Sequence, residues 1–391
     1  MRRTAGALLA VAAAVVLLAA CAHGTGHASG QSRATAGPSA SAEPAAARVP
    51  GWRVPPGQFV SLRFAPAGQQ SPGPMGFLEV ALGDVRTGAV VRRLLPASAG
   101  GGMQVSGLAL DRAGDLWVTY SKGPAYGGDV AGGDPRPDTC ANEIDEVHAG
   151  TGRVTVFLRT GDNILLSGAR PSPDGTRLVY IESACVAYYD AYLRVTDLGS
   201  GRSWTIGQNL PRCHLLTSAA WSVNGRELLV GYGPPDQSGY GGPQGTCPAW
   251  SAGRLVRLDA LTGQPGLAGT TARADPGCQI TSVASDPGGG MLAIEGCGTA
   301  PEYISGPARL LVLSASSHPV GRLSLGKCVD GSELAVNQAG TGTLISAYLY
   351  CNPPGHPGPV TRLWEYRGGT LRLITSIPGD TSGARMMAWL S

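Results

Sequence analysis

Short alternations of hydrophobic and polar positions run along most of the chain, and residues 165–182 show the pattern in its clearest form. Small and apolar residues lead to Ser172-Pro173-Asp174-Gly175, and a more apolar segment, 177–181, follows. Apolar segments of about four to eight residues on both sides of a Pro/Asp/Gly turn are typical of a β-hairpin. The stretch therefore predicts two antiparallel strands joined by a tight turn.

Variants of this hairpin recur along the chain. Turn sequences of the same type are present at 111–114, 222–225, 285–288 and 337–340. The segments before them, VSGLAL, LTSAAW, ITSVAS and GSELAV, are rich in Ser, Ala and Val, whereas LWVTY, ELLVGY, MLAIEG and LISAYLY follow them. Strands bounded by such turns at regular intervals predict a series of hairpins.

A second type of hairpin alternates with the first. Its turns lie at 86–88, 150–152, 199–201, 261–263, 316–318 and 367–369, between strands such as LEVAL, LRVTDL and LVRLDA and a further apolar segment. Two alternating hairpins make a four-stranded unit, and a repeat of about 50–60 residues indicates the blades of a β-propeller.

The number of units predicts how the ring closes. The second hairpin is present six times and the first five times, and the missing first strand is supplied by residues 381–390, which are similar to LTSAAWS. Residues 59–64 are then the second strand of the first blade. We expect an all-β chain with six four-stranded blades whose C-terminal strand closes blade one; seven blades, a β-helix or a sandwich are the alternatives. The high content of Gly (59) and Pro (30) in 391 residues favours such a turn-rich fold.

These repeats resemble a known family. Hairpins of the SPDGTRLVY and AAWSVNGRELLVGY type resemble the PD40 repeats of TolB-like propellers, and the Asp-x-x-Thr-Gly turns resemble those of YVTN and PQQ-type propellers. The resemblance covers most of residues 57–391 and implies a propeller. TolB itself has an α/β domain before its propeller, where this chain has only a low-complexity segment, so its partner is not carried over.

The N-terminus predicts export. Arg2 and Arg3 precede an apolar segment, 5–20, that is too short to span a bilayer comfortably, and this segment ends in Leu18-Ala19-Ala20-Cys21. That ending resembles the lipobox of bacterial lipoproteins, which implies a signal peptide over 1–20 and lipidation of Cys21. Residues 21–50, rich in Ala, Ser, Gly and Pro, are expected to form a disordered tether of about 30 Å, followed by the propeller over 51–391. We expect a lipid-anchored protein on the extracytoplasmic side of the cell membrane.

The charge distribution argues against nucleic-acid binding. The formal net charge is +3, and Arg2 and Arg3 of the leader contribute two of these charges. The chain has no run of Lys or Arg that would contact a phosphate backbone.

The cysteines predict disulfides at one end of the propeller. Apart from Cys21 there are eight: Cys140, Cys185, Cys213, Cys247, Cys278, Cys297, Cys328 and Cys351. Three precede the first strand of a blade and five follow a second strand, which places all of them at one end of antiparallel neighbours. The simplest pairs are 213–247, 278–297, 328–351 and 140–185, although eight thiols allow 105 connectivities. Because CxxC spacing is absent and exported thiols usually oxidise, we expect no metal site.

Long loops at the same end form the candidate binding face. They carry aromatic and polar residues that suit a glycan or peptide ligand: Tyr126, Tyr188, Tyr189, Asp190, His214, Tyr240, Trp250, Glu302 and Tyr303. We expect the ligand on this face and not at the SPDG turn; its identity stays open.

No catalytic motif is visible in the sequence, and no cofactor is expected. A GxSxG motif is absent. Glu143 and Asp145 have the spacing of one strand face, and we expect a solvated face there in preference to an acid–base pair. The leading hypothesis is a membrane-anchored binding or protein-interaction module. The alternatives are a propeller enzyme, such as a lyase or a glycan-acting hydrolase with its site in the central mouth, and a structural envelope protein.

The lipid anchor has a direct test. Substituting Cys21→Ala removes the thiol that would carry the lipid, so the protein should leave the membrane fraction of the producing cells. Fractionation with detection of the C-terminal domain measures this release, and unchanged membrane retention would contradict the lipobox interpretation.

Overall fold

A computed structural model describes the following residues: 54–55, 57–64, 78–87, 89–95, 104–122, 141–161, 164–184, 191–206, 216–233, 253–263, 272–286, 288–297, 306–336, 342–349, 360–378 and 386–389. All of them belong to one compact unit, Ala47–Ser391. The predicted signal peptide, Cys21 and the predicted tether lie outside the described residues and stay predictions.

Every regular element in these ranges is a β-strand. The first eleven are β1 Gln58–Phe64, β2 Leu78–Asp84, β3 Val90–Leu95, β4 Gln104–Leu110, β5 Leu116–Lys122, β6 Ala141–Val147, β7 Val154–Arg159, β8 Ile164–Pro171, β9 Arg177–Ala184, β10 Tyr192–Asp197 and β11 Ser203–Ile206. The others are β12 Leu216–Trp221, β13 Glu227–Tyr232, β14 Arg254–Asp259, β15 Ala272–Arg273, β16 Cys278–Ser285, β17 Met291–Cys297, β18 Gly306–Leu313, β19 Pro319–Val336, β20 Thr343–Leu349, β21 Val360–Arg367, β22 Thr370–Pro378 and β23 Met386–Trp389.

The hairpin predicted at residues 165–182 is β8 and β9. Its turn is closed by a hydrogen bond from the Ser172 amide to the Arg177 carbonyl at 2.7 Å. Asp174 Oδ1 accepts hydrogen bonds from Ser172 Oγ at 2.5 Å and from the Thr176 amide at 3.1 Å. Gly175 has a φ of 70°, which is the left-handed conformation that favours glycine. Asp174 therefore stabilises the turn, as the sequence predicts.

The turns of the second hairpin type use an Asp at the end of the preceding strand. Asp197 Oδ1 accepts hydrogen bonds from the amide and the hydroxyl of Ser200, both at 2.7 Å, and Asp84 and Asp259 bind Thr87 and Thr262 in the same way. These hydrogen bonds lower the pKa of the three carboxyl groups. The Asp-x-x-Ser/Thr pattern therefore marks a turn that the carboxylate stabilises.

One predicted turn begins one residue later than expected. The segment 285–288 was predicted as a turn, but Ser285 is the last residue of β16, and the turn bond runs from the Gly289 amide to the Asp286 carbonyl at 2.8 Å. Gly289 has a φ of 84°. At the later position the turn begins with an Asp and ends with a left-handed Gly, as the turn at 111–114 does.

The strands form antiparallel sheets in chain order. Three contain four consecutive strands: β4–β7, β8–β11 and β12–β15. Strands β16–β22 form a sheet of seven, in which the long strand β19 pairs with β18 and then with β20. Since this sheet is continuous, the predicted number of six blades stays a prediction.

The C-terminal strand closes the ring. β23 pairs with β1, with Phe59 opposite Trp389, and the order of this sheet is β23-β1-β2-β3. The predicted assignment of residues 59–64 to the second strand of the first blade is confirmed. Strands β4, β8, β12, β16, β19 and β23 contact one another in sequence, and β23 contacts β4. We call this set of six the inner strands. The arrangement is a β-propeller, and closure leaves its terminal sheet without an open edge at β1.

Apolar side chains from consecutive sheets form the core. One cluster joins Val179 and Ile181 of β9 to Trp221 of β12 and Val230 of β13, and similar clusters lie between the other sheets. The core is therefore distributed between sheets, as expected where each sheet buries both faces. In the described part of the chain, there is no helix with the length and hydropathy needed to cross a bilayer.

Candidate functional site

A small polar cavity lies among the inner strands. Its volume is about 70 Å³. It is lined by five inner strands, β4, β8, β12, β16 and the second half of β19, and by one residue of β9. The lining residues are Gly107, Leu108, Ser167, Gly168, Arg170, Ile181, Thr217, Ser218, Ala219, Thr281 and Glu333. Hydroxyls and glycines from separate hairpins therefore surround one guanidinium and one carboxylate.

A β-bulge in each of these inner strands brings the lining residues to the cavity. The register shifts lie between Val105 and Gly107, Ser167 and Arg170, Leu216 and Ser218, Ile280 and Ser282, and Val329 and Ser332. A bulge places one extra residue opposite the partner strand and bends the strand locally. The repeated bulge explains why Gly107, Gly168, Thr217 and Thr281 converge although they belong to different hairpins.

Arg170 and Glu333 depart from the residue types found at the equivalent positions of the repeat. Two residues before the turn, β8 carries Arg170, and the matching positions are Ala109, Ala220, Ala284 and Ala335. Four residues before the turn, β19 carries Glu333, where the four strands β4, β8, β12 and β16 carry Gly107, Gly168, Ser218 and Ser282. The two departures introduce opposite charges at positions where the other hairpins of this type carry small residues.

The two charged side chains approach each other loosely across the cavity. Arg170 Nη2 lies 3.9 Å from Glu333 Oε2, whereas close guanidinium–carboxylate hydrogen bonds are about 2.7–2.9 Å long. Arg170 Nη1 donates to the Val283 carbonyl at 3.3 Å, and Ser282 Oγ donates to Glu333 Oε2 at 3.3 Å. Val283 and Ser282 of β16 therefore help to position both charged groups.

The cavity changes the acid–base properties of this pair. Burial raises the pKa of Glu333 to about 7, and Arg170, the Ser282 hydroxyl and the Leu334 backbone amide oppose that rise. Burial also lowers the pKa of Arg170, which nevertheless stays protonated because a guanidinium cannot be deprotonated in a protein. The two side chains are 24% and 27% exposed, so both are partly buried.

Trp221 and its neighbours fix the backbone that carries Arg170. The Trp221 indole donates to the Arg170 carbonyl at 2.9 Å, and the Arg177 guanidinium lies 5.0 Å above the Trp221 ring. Arg177 Nη2 also donates to the Gly225 carbonyl at 2.7 Å, and the Ser285 hydroxyl donates to the Trp221 carbonyl. The end of β8 is therefore held by residues of the next two hairpins.

A second polar cluster lies at the turns of the β4–β7 sheet. His148 Nδ1 is 3.2 Å from Asp115 Oδ2, and His148 Nε2 is 3.1 Å from Thr155 Oγ1 and 3.6 Å from Glu146 Oε2. Burial raises the pKa of Glu146. Donor atoms of Asp115, Glu146 and His148 lie within 4.8 Å of one another, a spacing at which they could hold a metal ion. Hydrogen bonds already engage both ring nitrogens and account for the arrangement.

Glu143 and Asp145 lie two residues apart on β6. Both side chains are buried in β6, and Glu143 accepts a hydrogen bond from Arg159 Nε at 2.7 Å. Their spacing is that of one strand face, but the prediction that this face is solvated is wrong, because Glu143 and Asp145 are only 2% and 4% exposed.

The cysteines within the described residues are disulfide-bonded. Cys278 and Cys297 are opposite one another at the ends of β16 and β17 and form a disulfide, which is the predicted pair. Cys328 is also disulfide-bonded, to a partner outside the described residues. Cys140, Cys185, Cys213, Cys247 and Cys351 lie outside the described residues, and the other pairings stay predictions. Glu295 lies beside the Cys278–Cys297 bridge, but the bonded sulfurs are not available as metal ligands.

The nine residues predicted for the binding face lie outside the described residues. They are Tyr126, Tyr188, Tyr189, Asp190, His214, Tyr240, Trp250, Glu302 and Tyr303. The loop face stays a prediction. Sequence reasoning missed Arg170 and Glu333, although comparing equivalent positions of the repeated hairpins would have singled out both.

The cavity is better equipped to bind than to catalyse. Its described lining includes no histidine or cysteine, so the hydroxyls there lack the usual activating base. Glu333 is the one carboxylate of that lining, whereas glycoside hydrolysis ordinarily uses two. A guanidinium and a carboxylate with free hydrogen-bonding positions can instead hold a polar ligand.

Comparison with known proteins adds only structural likenesses. No protein-family profile and no curated protein sequence matches the chain. A chain of the mitotic checkpoint complex is 15% identical with a TM-score of 0.42, over 75% of this chain and 86% of that chain. A puromycin hydrolase is 18% identical with a TM-score of 0.45, over 82% and 46% of the two chains. A prolyl endopeptidase structure is 13% identical with a TM-score of 0.45, over 85% of this chain and 50% of that chain.

The chain therefore spans about half the length of the puromycin hydrolase and of the prolyl endopeptidase. At TM-scores of 0.42–0.45 these likenesses carry no argument about activity. The strand order and the contacts between successive inner strands define the class of the protein, which is an all-β propeller.

The raised pKa of Glu333 predicts a pH-dependent stability. The folded protein binds this proton more tightly than the unfolded chain does, so the free energy of unfolding should fall as the pH rises from 4.5 to about 7. The loss is on the order of 3 kcal/mol, and Glu333→Gln should remove it. Urea unfolding of both proteins at about pH 4.5 and about pH 8 measures the difference.

The surface variant Glu365→Gln, which breaks an outer-strand pair with Arg372 at 2.7 Å, is the control. Its difference from the wild type should stay within about 0.5 kcal/mol at both pH values. An effect of Glu333→Gln that is the same at both pH values would contradict a buried, proton-binding Glu333.

Proposed function

We propose that the chain is a membrane-tethered, extracytoplasmic binding module whose TolB-like propeller binds a small polar ligand in the cavity among its inner strands. The observation that carries the proposal is the pair of Arg170 and Glu333. Each replaces a small residue of the repeat, and both reach the same cavity. Ionisable groups that converge in a polar cavity are typical of a ligand site.

The lipid anchor and the tether rest on the sequence. The leader, Leu18-Ala19-Ala20-Cys21 and the Ala/Ser/Gly/Pro segment to residue 50 support an anchored domain outside the cytoplasm. The disulfide between Cys278 and Cys297 supports the same location, because disulfides persist in oxidising compartments.

Catalysis is the second candidate, and the pKa of Glu333 is the observation that favours it. A carboxyl group with a pKa of about 7 is suited to general acid–base catalysis near neutral pH. We rank it below binding because the described lining supplies no second carboxylate, histidine or cysteine to work with it.

A purely structural role has less support. The large apolar side chains that are exposed among the described residues lie on six different strands or turns: Val90 and Val91, Val156, Val223, Leu261, Val320 and Leu373. Such scattered positions are ordinary on a soluble surface and indicate no assembly face.

A ligand screen tests the binding function. Thermal unfolding of the full chain in detergent is followed with amino acids, carboxylic acids, amines, sugars and short peptides. We expect at least one compound to raise the unfolding midpoint by about 3–5 °C near saturation. The shift should disappear in Arg170→Ala, which restores the residue type of the equivalent repeat positions, and should persist in the surface variant Arg372→Ala.

Two results would contradict this function. One is that no compound stabilises the wild type. The other is a ligand whose effect is the same in Arg170→Ala, which would move binding away from the cavity and towards the predicted loop face.

A further inference from the structure

We propose that the cavity binds a small zwitterion, with the ligand's carboxylate on Arg170 and its ammonium group on Glu333. This inference rests on the proposed binding function and names its ligand class. It follows from the hydrogen-bonding capacity, the charge and the size of the site.

Neither charged side chain uses its full hydrogen-bonding capacity. A guanidinium has five N–H donors, and Arg170 spends one of them on the Val283 carbonyl at 3.3 Å. A carboxylate offers about four acceptor positions, and Glu333 uses two of them, for the Ser282 hydroxyl and the Leu334 backbone amide. The separation of 3.9 Å between Nη2 and Oε2 shows that they do not saturate each other. The unused positions match a ligand that presents an acceptor group and a donor group together.

The charge of the site selects a ligand without net charge. Arg170 and an ionised Glu333 cancel, so a simple anion would pair with Arg170 and leave a partly buried Glu333 carboxylate without its partner. A simple cation would do the same to Arg170. Leaving one member of a buried charge pair unpaired is strongly unfavourable, whereas a zwitterion satisfies both.

The size of the site restricts the ligand further. One water needs about 10–15 Å³, so a cavity of about 70 Å³ has room for a few groups of that size. Glycine and alanine, with five and six non-hydrogen atoms, are of this size. We therefore expect the smallest amino acids to bind and the aromatic ones to be excluded.

Calorimetric titration of the full chain in detergent tests the assignment. Glycine and L-alanine are titrated at about pH 8, where most of Glu333 is ionised, and acetate, methylammonium and L-tryptophan are titrated under the same conditions. We expect one site for glycine or alanine, with acetate and methylammonium binding at least about tenfold more weakly. Tryptophan should not compete.

Two variants replace the charged residues of the cavity with residue types found at the equivalent positions of the repeat. Arg170→Ala and Glu333→Ser should each weaken glycine binding by at least about tenfold, and Arg372→Ala should leave it unchanged. The unfolding midpoint of each variant, measured without ligand, shows whether it is folded under the conditions of the titration.

The outcomes separate this inference from the proposed function. Acetate binding as tightly as glycine, glycine binding that survives both cavity variants, or no amino-acid binding to the folded wild type would each overturn the zwitterion assignment. If the compound screen still finds a ligand that depends on Arg170, the binding function stands with another ligand class. If it finds none, both proposals fail.

Discussion

The close packing of the inner strands is the constraint on which the rest of the structure depends. A Cβ atom added to Gly107 of β4 would lie 3.0 Å from the backbone nitrogen of Gly168 of β8. One added to Gly231, on the neighbouring strand β13, would lie 2.8 Å from Ile280 Cγ2 of the inner strand β16. Such distances leave no space for larger side chains without movement of a neighbouring strand or side chain. Gly, Ala and Ser at the equivalent positions follow from this crowding, and the repeated bulges adapt each strand to its place in the ring.

Arg170 and Glu333 depart from that constraint together. Burying a charge is unfavourable unless it is paired, and a loose pair at 3.9 Å compensates less than a close one. The raised pKa of Glu333 reflects the same imbalance between burial and attraction. Ala and Ser, the residues at equivalent positions, would satisfy the packing without these charges. The proposed binding of a ligand that uses both charges would give a physical reason for their presence, which packing does not.

Much of the architecture could be predicted from the sequence because turn chemistry is local. The Asp/Ser-x-x-Gly turns specify their hairpins through hydrogen bonds within a few residues, as at Ser172 and Asp174. The similarity of residues 381–390 to LTSAAWS predicted the closure that β23 and β1 make. The Asp286 turn was misplaced by one residue because Ser285 and Asp286 are both typical first residues of a turn.

The cavity could not be predicted in the same way. Arg170 lies within the hairpin that first revealed the repeat, yet no local pattern connects it to Glu333, which belongs to a distant hairpin. Their proximity depends on ring closure and on bulges whose positions have no clear turn or periodicity signal. Only the departure of both residues from the small types at equivalent positions marked them in the sequence.

A double-mutant cycle measures most directly whether the two charges meet in one cavity. The free energies of unfolding of the wild type, Arg170→Ala, Glu333→Ser and the double variant are compared at about pH 8, where Glu333 is mostly ionised. The structure predicts a coupling free energy of about 1–3 kcal/mol, with the double variant more stable than the sum of the single effects implies. Additive effects, within about 0.3–0.5 kcal/mol, would contradict a shared site.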